Sequence, residues 1–317
     1  MVLLLGVVFI AQAAPSLHSP HKKLPHRLIH QFPKGRWIEN IAIRPNGNLL
    51  LTSIAPSASV YEIVDPLSAS PMVKLSFTID SVTSLMGIAE VSRDTFAIVG
   101  GNFSSKGGVK GSVHVWTANY TNSGTPAPQK KAFIPDAVLP NGATAVPGHE
   151  DSFMFADSTL GSVWIADLAT GKSKISQHFP ENESGSDKPL AIGVNGLHIR
   201  KGHLWWTNSA QQRVYKVRVD ANGHTAFGAR VEPVATIPAL TLDDFTIGPG
   251  QDDIIWAATG DNNTMVAAGP NACKFGRGPR DYNILYVTTA GQTINGTSMG
   301  GRVEALDING FDSSGIE

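Results

Sequence analysis

A sequence motif recurs along this chain at a spacing that only a few folds show. In each copy two adjacent residues, polar in most copies, come just before an apolar stretch, and a second apolar run follows. The pairs are Glu39-Asn40, Met86-Gly87, Asn141-Gly142, Asn195-Gly196 and Asp243-Asp244. The intervals from 39 to 86, 86 to 141, 141 to 195 and 195 to 243 are 47, 55, 54 and 48 residues. Repeats of this length are typical of propeller blades. One such repeat cannot bury its own apolar face, so the copies must stack.

Each repeat reads as short strands joined by turns. In the first, Trp37–Ile43 is followed by Pro45-Asn46-Gly47-Asn48 and a second apolar run, a hairpin signal because Asn-Gly accepts positive φ. A sixth copy starts near Asn271, and no amphipathic helix of useful length is evident. The stretch Arg27–Gln31 precedes the first repeat and belongs to none of the six copies. The sequence therefore predicts an all-β, six-bladed β-propeller, closed by pairing of this N-terminal strand with the last blade.

Composition and charge exclude several classes of partner. The 317 residues carry a formal net charge of −1, with Lys and Arg scattered rather than clustered, so nucleic acid and anionic membranes are not expected partners. The 42% apolar content with 32 Gly and 20 Pro suits a large, turn-rich core. Cys273 is alone, which excludes an intrachain disulfide and a Cys-based zinc site.

The N-terminus predicts a secretory route. Residues 1–14 form a short apolar run ending in Ala11-Gln-Ala13, a cleavage pattern, and the run is too short for a membrane span. The alternative is a buried N-terminal strand. We predict a signal peptide over 1–14, a single propeller domain over 15–317 and a secreted glycoprotein. Asn-x-Ser/Thr sequons begin at Asn102, Asn119, Asn182, Asn262 and Asn295.

Propeller geometry turns the repeat starts into a candidate site. The first strand of every blade starts at one face and the second returns to it, so these polar positions converge around one mouth. They include Glu39, Asn40, Asn141, Asn195 and Asp243 from the starts, and Asn208 from a second-strand end. The alternative interpretation is that such pairs only form turns and cap backbone groups. Because these polar positions surround one end of the central channel, they predict a ligand-binding site there, which we call the mouth.

These residues carry a resemblance to a known superfamily. Trp37-Ile38-Glu39-Asn40-Ile41-Ala42, Asn195-Gly196-Leu197, Leu242-Asp243-Asp244-Phe245 and Phe275-Gly276-Arg277-Gly278 resemble the fungal branch of the gluconolactonase/senescence-marker-protein propellers. Lactonases of this superfamily hold a divalent metal, often Ca²⁺, and the resemblance implies Glu39, Asn195 and Asp243 as its ligands, which are hard oxygen donors. The chain departs from that pattern at Met86-Gly87 and at the Asp243-Asp244 pair.

A narrower resemblance is to the fungal hetero-Diels-Alderases of tropolonic sesquiterpenoid biosynthesis, in length, signal, sequons and the Trp-Ile-Glu-Asn-Ile-Ala opening. It implies that a hydroxymethyl tropolone loses water to a quinone methide, which adds to a humulene-type alkene. No metal or organic cofactor is required by this reaction. The partners would be these two small molecules, held in a water-poor pocket.

The resemblance suggests roles at the mouth. Glu39 and Asp243 are the candidates for proton transfer in the dehydration, because a buried carboxyl beside another carboxylate has a raised pKa. Asn195 joins them as a catalytic candidate and as a hydrogen-bond donor to the tropolone oxygens. Candidate hydrogen-bond donors and apolar walls for the substrates are Asn40, Asn141, Asn208, Trp37, Met86 and Phe245.

Three functions stay open. They are a cofactor-free cycloaddition catalyst, a calcium-dependent lactone hydrolase and a non-catalytic binding propeller. His198 is interpreted as either a core residue or a channel-lining acid/base.

Overall fold

The strands of this chain form radially arranged sheets, as in a β-propeller. The structure is a computed structural model that describes residues 2–5, 24–122, 124–185, 192–250, 253–260, 269–294 and 297–309. Two strands precede the first repeat: β1 (Val2–Leu5) and β2 (His26–Gln31). No helix in these ranges is long and apolar enough to cross a membrane.

The first four repeats each form a four-stranded antiparallel blade, with the strand that carries the polar pair innermost. Blade one is β3 (Trp37–Ile43), β4 (Leu49–Ala55), β5 (Ser59–Val64) and β6 (Met72–Thr78). Blade two is β7 (Ser84–Ser92), β8 (Thr95–Gly101), β11 (Val113–Asn119) and β12 (Gln129–Ile134), with a small hairpin of β9 (Phe103–Ser104) and β10 (Gly107–Gly108).

Blade three is β13 (Pro140–Val146), β14 (His149–Asp157), β15 (Ser162–Asp167) and β16 (Ser173–Gln177), followed by a single 3₁₀ turn at Pro180–Asn182. Blade four is β17 (Val194–Arg200), β18 (His203–Asn208), β19 (Arg213–Arg218) and β20 (Glu232–Thr236).

The fifth repeat departs from the expected four strands. Its described part is β21 (Leu242–Ile247) and β22 (Ile255–Thr259), and β1 adds to β22 in parallel, with Val2 opposite Ile255. Within the described residues five sheets have four strands, where the sequence predicted six blades. The segment 261–268, which follows β22, lies outside the described residues. The parallel β1 corresponds to the alternative of an N-terminal strand, and cleavage after residue 14 stays a prediction.

The last blade combines both ends of the chain. Its strands are β23 (Pro270–Phe275), β24 (Ile284–Thr289) and β27 (Arg302–Asp307), with a side hairpin of β25 (Gln292–Ile294) and β26 (Thr297–Met299). Strand β2 pairs antiparallel with β27, placing Gln31 opposite Arg302. This is the strand pairing that the sequence predicted.

Apolar side chains fill the spaces between neighbouring blades. One buried cluster joins blades one and two around Leu50, Phe96 and Trp116, and another joins blades three and four around Met154 and Trp206. A blade cannot bury both of its faces alone, so these clusters supply the stabilising contact between repeats. This packing leaves the first residues of the innermost strands to face the axis.

Candidate functional site

A β-bulge lies at the polar pair of the innermost strands. The pairing register shifts between Ile38 and Ile41, between Pro140 and Ala143, between Val194 and Leu197, and between Leu242 and Phe245. A bulge places extra residues opposite the partner strand and re-aims their side chains. The repeated polar pairs therefore do more than form turns, because each occupies an irregularity that turns it from the sheet toward the axis.

Buried hydroxyl groups join each bulge to the next blade. Thr52 Oγ1 accepts a hydrogen bond from Asn40 N at 3.0 Å and donates to Met86 O at 2.6 Å. Thr207 Oγ1 does the same between Gly196 N at 2.8 Å and Asp243 O at 2.7 Å. These hydroxyls satisfy backbone groups that the bulges remove from the strand ladder, which fixes the position of the polar pairs.

Two carboxyl groups at this mouth have strongly raised pKa values. Burial, together with the nearby charges of Asp243 and Asp244, holds the pKa of Glu39 well above its usual range. Burial and the Asp244 charge raise the pKa of Asp243 to about 8, and the Asn195 side chain partly opposes the rise. Glu39 and Asp243 therefore retain protons at neutral pH and are able to donate them.

Asp244 behaves in the opposite way. Burial alone raises its pKa, but hydrogen bonds from His198 and Asn40 outweigh burial, and the pKa is lowered. His198 Nε2 lies 3.3 Å from Asp244 Oδ1, and Asn40 Nδ2 donates to Oδ2 at 2.8 Å. Neighbouring carboxyls with pKa values pushed apart are an arrangement in which one stays ionised while the other carries a proton.

At the mouth, three buried oxygen atoms have no hydrogen-bond partner among the described residues: Glu39 Oε2, Asn141 Oδ1 and Asn195 Oδ1. The amide nitrogens of the two asparagines are engaged, with Asn141 Nδ2 donating to Ser158 Oγ at 3.1 Å and Asn195 Nδ2 to Ser209 Oγ at 3.0 Å. Both asparagines thus present an acceptor, where the sequence analysis expected a donor. Buried acceptors without donors fit a substrate O–H group or a hard cation.

A cation held there would rest mainly on neutral ligands. Glu39, Asn141, Asn195 and Asp243 offer oxygen donors of the kind that Ca²⁺ prefers. Within the described ranges, no three His, Cys, Asp or Glu side chains are grouped as a metal site would require. The donor chemistry therefore fits calcium through the asparagine oxygens, and it does not resemble a zinc or iron site.

Three predicted substrate contacts are in fact structural. The Asn208 side chain is fully buried and its Nδ2 donates to Glu181 O and Glu183 O, each at 2.9 Å, so it anchors the loop after blade three. Met86 and Phe245 are buried between blades and do not form walls of the mouth. Met86 lies within the register shift of β7 and Phe245 at the end of that of β21, and both side chains pack in the clusters between blades.

Trp37 lies at the exposed rim of the mouth, whereas His198 lies at a separate cavity. Trp37 precedes the first bulge and is 36% exposed, so it stays a candidate for contact with a ligand at the rim. His198 lines a cavity together with Lys274. Both of its ring nitrogens also contact neighbouring groups, as the core alternative expected, and a role as acid/base stays a prediction. Lys274 was missed, although a lysine within the apolar run Ala272–Phe275 was a signal for a buried charge.

The sequons differ in accessibility. Asn119 is exposed at the end of β11, and Asn102 is partly buried. Asn182 has no exposed surface, and both polar atoms of its side chain are enclosed. A glycan on Asn182 is incompatible with this packing, so that part of the expectation is wrong. Asn262 and Asn295 lie outside the described residues.

Fold and site together define a β-propeller with an axial polar site of buried carboxyl and amide groups. Solved propellers agree on the fold. A luciferin-regenerating enzyme matches with a TM-score of 0.62 and 14% identity over 90% of this chain and 95% of its own. A calcium-binding regucalcin from Agrobacterium tumefaciens matches with a TM-score of 0.57 and 17% identity over 89% and 93%. At these identities the likeness concerns the fold.

The sequence relatives are more specific. Two proteins, from Phoma sp and Sarocladium schorii, are each 29% identical to this chain and carry the name "Putative hetero-Diels-Alderase". The matches cover 84% and 96% of this chain and 86% and 88% of the relatives. No family model matches the chain. The resemblance predicted from the sequence is thereby confirmed, and the relatives support an enzyme that acts on small molecules.

Proposed function

We propose that this protein is a hetero-Diels-Alderase of fungal secondary metabolism. It dehydrates a hydroxymethyl tropolone to a quinone methide and directs the [4+2] addition of that intermediate to a humulene-type alkene, giving a tropolonic sesquiterpenoid. One observation carries the proposal: Glu39 and Asp243, two carboxyls that retain protons at neutral pH, meet at a buried axial mouth in a chain whose relatives bear this name.

The residues supply the proton movements of dehydration. Glu39 donates a proton to the departing hydroxyl group, the C–O bond breaks and water leaves. The ring hydroxyl gives up its proton to the carboxylate so formed, which restores Glu39 and completes the neutral quinone methide. Asp243 remains protonated beside Glu39, since two ionised carboxylates in one buried place would repel each other. The addition itself forms two bonds without any proton transfer.

Asn141 and Asn195 orient the substrate and take no part in the proton transfers. The free oxygens of Asn141 and Asn195 accept hydrogen bonds from hydroxyl groups of the substrate, and Trp37 covers the rim. Fixing two reactants in one geometry lowers the entropic part of the barrier. The enzyme's contribution therefore includes stereochemical control of the addition.

Calcium-dependent lactone hydrolysis is the second candidate, and the unpartnered oxygens of Glu39, Asn141 and Asn195 favour it. With Asp243 they would hold the ion, and a bound cation would supply Lewis-acid activation of a lactone carbonyl. In the first proposal these oxygens bind substrate and no cofactor is used. A propeller that binds small molecules without turning them over is the third candidate.

Product analysis separates these candidates. The purified protein is incubated with a hydroxymethyl tropolone and a humulene alcohol, with chelator, with added Ca²⁺ and after heat inactivation. A faster or stereochemically altered adduct in chelator supports the proposal. Activity that requires Ca²⁺, or hydrolysis of a lactone panel without any adduct, contradicts it. Saturable binding of the tropolone without turnover would identify the binding propeller.

The proposal also covers the number of blades, the closure of the propeller and the secretion of the protein. We propose a closed ring of six blades, supported by the β2–β27 pairing and by bonds between the last and first blades: Asn271 Nδ2 donates to Ile38 O at 2.7 Å and Thr288 Oγ1 to Glu39 O at 2.8 Å. We also propose that residues 1–14 direct secretion and that Asn119 carries a glycan, with Asn102, Asn262 and Asn295 as further sequons.

A further inference from the structure

A second cavity occupies the channel beyond the carboxyl mouth. Its volume is about 300 Å³, at the lower end of the range for small-molecule sites. Much of its wall is apolar, from Ala42, Ile88, Ala89, Phe96, Ala143 and Phe275. Polar groups enter it from His198, Thr144 and Lys274, and from Arg277 and Glu90 at its edge.

The Lys274 ammonium is a partly buried cation, and no carboxylate of the described residues contacts it directly. Among the described residues its one hydrogen-bond contact is with His198 Nδ1, at 3.5 Å, and no carboxylate oxygen lies within 4.0 Å. Arg277, by contrast, is already paired with Glu90 and donates to Ile43 O at 3.1 Å. Burial lowers the pKa of Lys274 and the nearby charge of Asp244 partly opposes this, but Lys274 has no direct carboxylate contact of the kind that Arg277 has.

His198 holds Lys274 in place. Both groups near His198 Nε2, Asp244 Oδ1 and Phe245 O, are acceptors, so the Nε2 atom carries the ring proton. Burial and the Lys274 charge lower the pKa of His198, which favours the neutral ring. Nδ1 is then an acceptor for Lys274. One ammonium proton is used in this contact, and the other two are available to a ligand.

We propose that the cavity binds a planar, conjugated oxyanion, with Lys274 as the group that pairs with its oxygen atoms. The apolar walls exclude water from the ring of the ligand, and a charge-assisted hydrogen bond forms at its oxygens. Glu90 pairs with Arg277, and Asp244 accepts hydrogen bonds from Asn40 and His198 while its charge acts on Lys274 through space, so no carboxylate occupies the two remaining N–H groups of Lys274. The inference rests on the proposed function only in its choice of tropolone as the probe.

The test is tropolone binding to the full chain, followed by calorimetry and by the absorption band of the tropolonate anion. Lys274→Met removes the ammonium and retains much of the side-chain volume. We expect about ten- to a hundredfold weaker binding and loss of the anion band. Lys274→Arg keeps the charge and should retain part of the affinity. Arg277→Met is the matched control, and it should change affinity less than threefold.

Tropone, which lacks the acidic hydroxyl, is the control ligand. The wild-type protein should prefer tropolone to tropone, and Lys274→Met should abolish that preference. Unchanged tropolone binding in Lys274→Met, or equal losses in Lys274→Met and Arg277→Met, would overturn the inference. Tropolone binding and adduct formation are measured separately, so unchanged binding in Lys274→Met contradicts this inference whether or not the wild-type protein forms an adduct, and its failure is distinguishable from a failure of the proposed function.

Discussion

Asn40 of the first blade donates a hydrogen bond across the channel to Asp244 of the fifth sheet, with 2.8 Å between Nδ2 and Oδ2. The two residues are 204 positions apart in the chain. Asp244 in turn contacts His198 of the fourth blade. This side-chain network ties three repeats together at the axis, and it keeps a negative charge beside the protonated carboxyls.

Removing that charge should change the acidity of its neighbour. In Asp244→Asn the pKa of Asp243 falls, because the repulsion that helps to raise it to about 8 is lost. We therefore expect the alkaline limb of the activity profile to move to lower pH. The pH dependence of adduct formation measures this. Asp253→Asn, at a partly exposed ion pair, is the control and should leave the limb where it is.

Replacing the candidate acid should slow turnover without unfolding the protein. Glu39→Gln keeps the shape and removes the proton donor, and general acid catalysis is worth about 10²- to 10⁴-fold in rate. We expect a loss of this size in the rate of adduct formation, with a near-normal melting temperature. Glu232→Gln, on the outer strand β20, is the matched control. A fully active Glu39→Gln protein would argue for a binding propeller.

Stability should also depend on pH through Asp243. Its pKa is about 8 in the folded protein, against a usual value near 3.8, so the folded state binds the proton more tightly than the unfolded state does. The stabilising contribution is complete below the unfolded value and is lost as pH rises through 8. Denaturant unfolding from pH 4 to 9 should show this decline. In Asp243→Asn the decline should be smaller, and an identical profile would contradict the raised pKa.

The hydroxyl that joins blades one and two should contribute measurably to stability. Thr52→Val preserves the shape but leaves Asn40 N and Met86 O without their partner, which costs about 1–3 kcal/mol in the free energy of unfolding. Thr236→Val, at an exposed position on β20, should change it by less than about 0.5 kcal/mol. Urea denaturation compares the two variants. Equal effects would mean that the Thr52 bonds add nothing specific.

Glycan mapping tests the proposed secretory route. Asn119 is exposed, whereas Asn182 is enclosed, so mass spectrometry of the protein secreted from a fungal host should find a glycan at Asn119 and none at Asn182. Asn119→Gln should lower the mass by one glycan. A modified Asn182 in folded protein would show that the packing after blade three is wrong.

Much of the fold was predictable from the sequence, because the length of the repeat indicates propeller blades that pack against one another. The innermost strands, the Asn46-Gly47 hairpin and the pairing of β2 with β27 all follow from period and turn chemistry. The fifth repeat was not predictable in the same way. Its two described antiparallel strands are joined by a parallel strand from the other end of the chain, and no local pattern indicates such a pairing.

The sequence predicted several of the residues that lie near the axis, but it did not predict the direction in which some of the side chains point. Glu39, Asn195 and Asp243 do gather at the axis, as their positions in the repeat suggested. The bulges were not visible in the sequence, and the packing of Met86 and Phe245 between blades was not predicted. Lys274 was missed because its environment depends on His198, 76 residues away in the chain.

The pairing of Val2–Leu5 with Ile255–Ala258 gives those four residues two roles that exclude each other. As part of a cleaved leader they would depart before the protein matures, and as part of the fifth sheet they cover one side of β22. Secretion would then uncover the backbone groups on that side of β22, an edge able to recruit another strand. The fate of the leader thus decides whether β22 keeps a neighbouring strand on that side or presents an open edge of the fifth sheet.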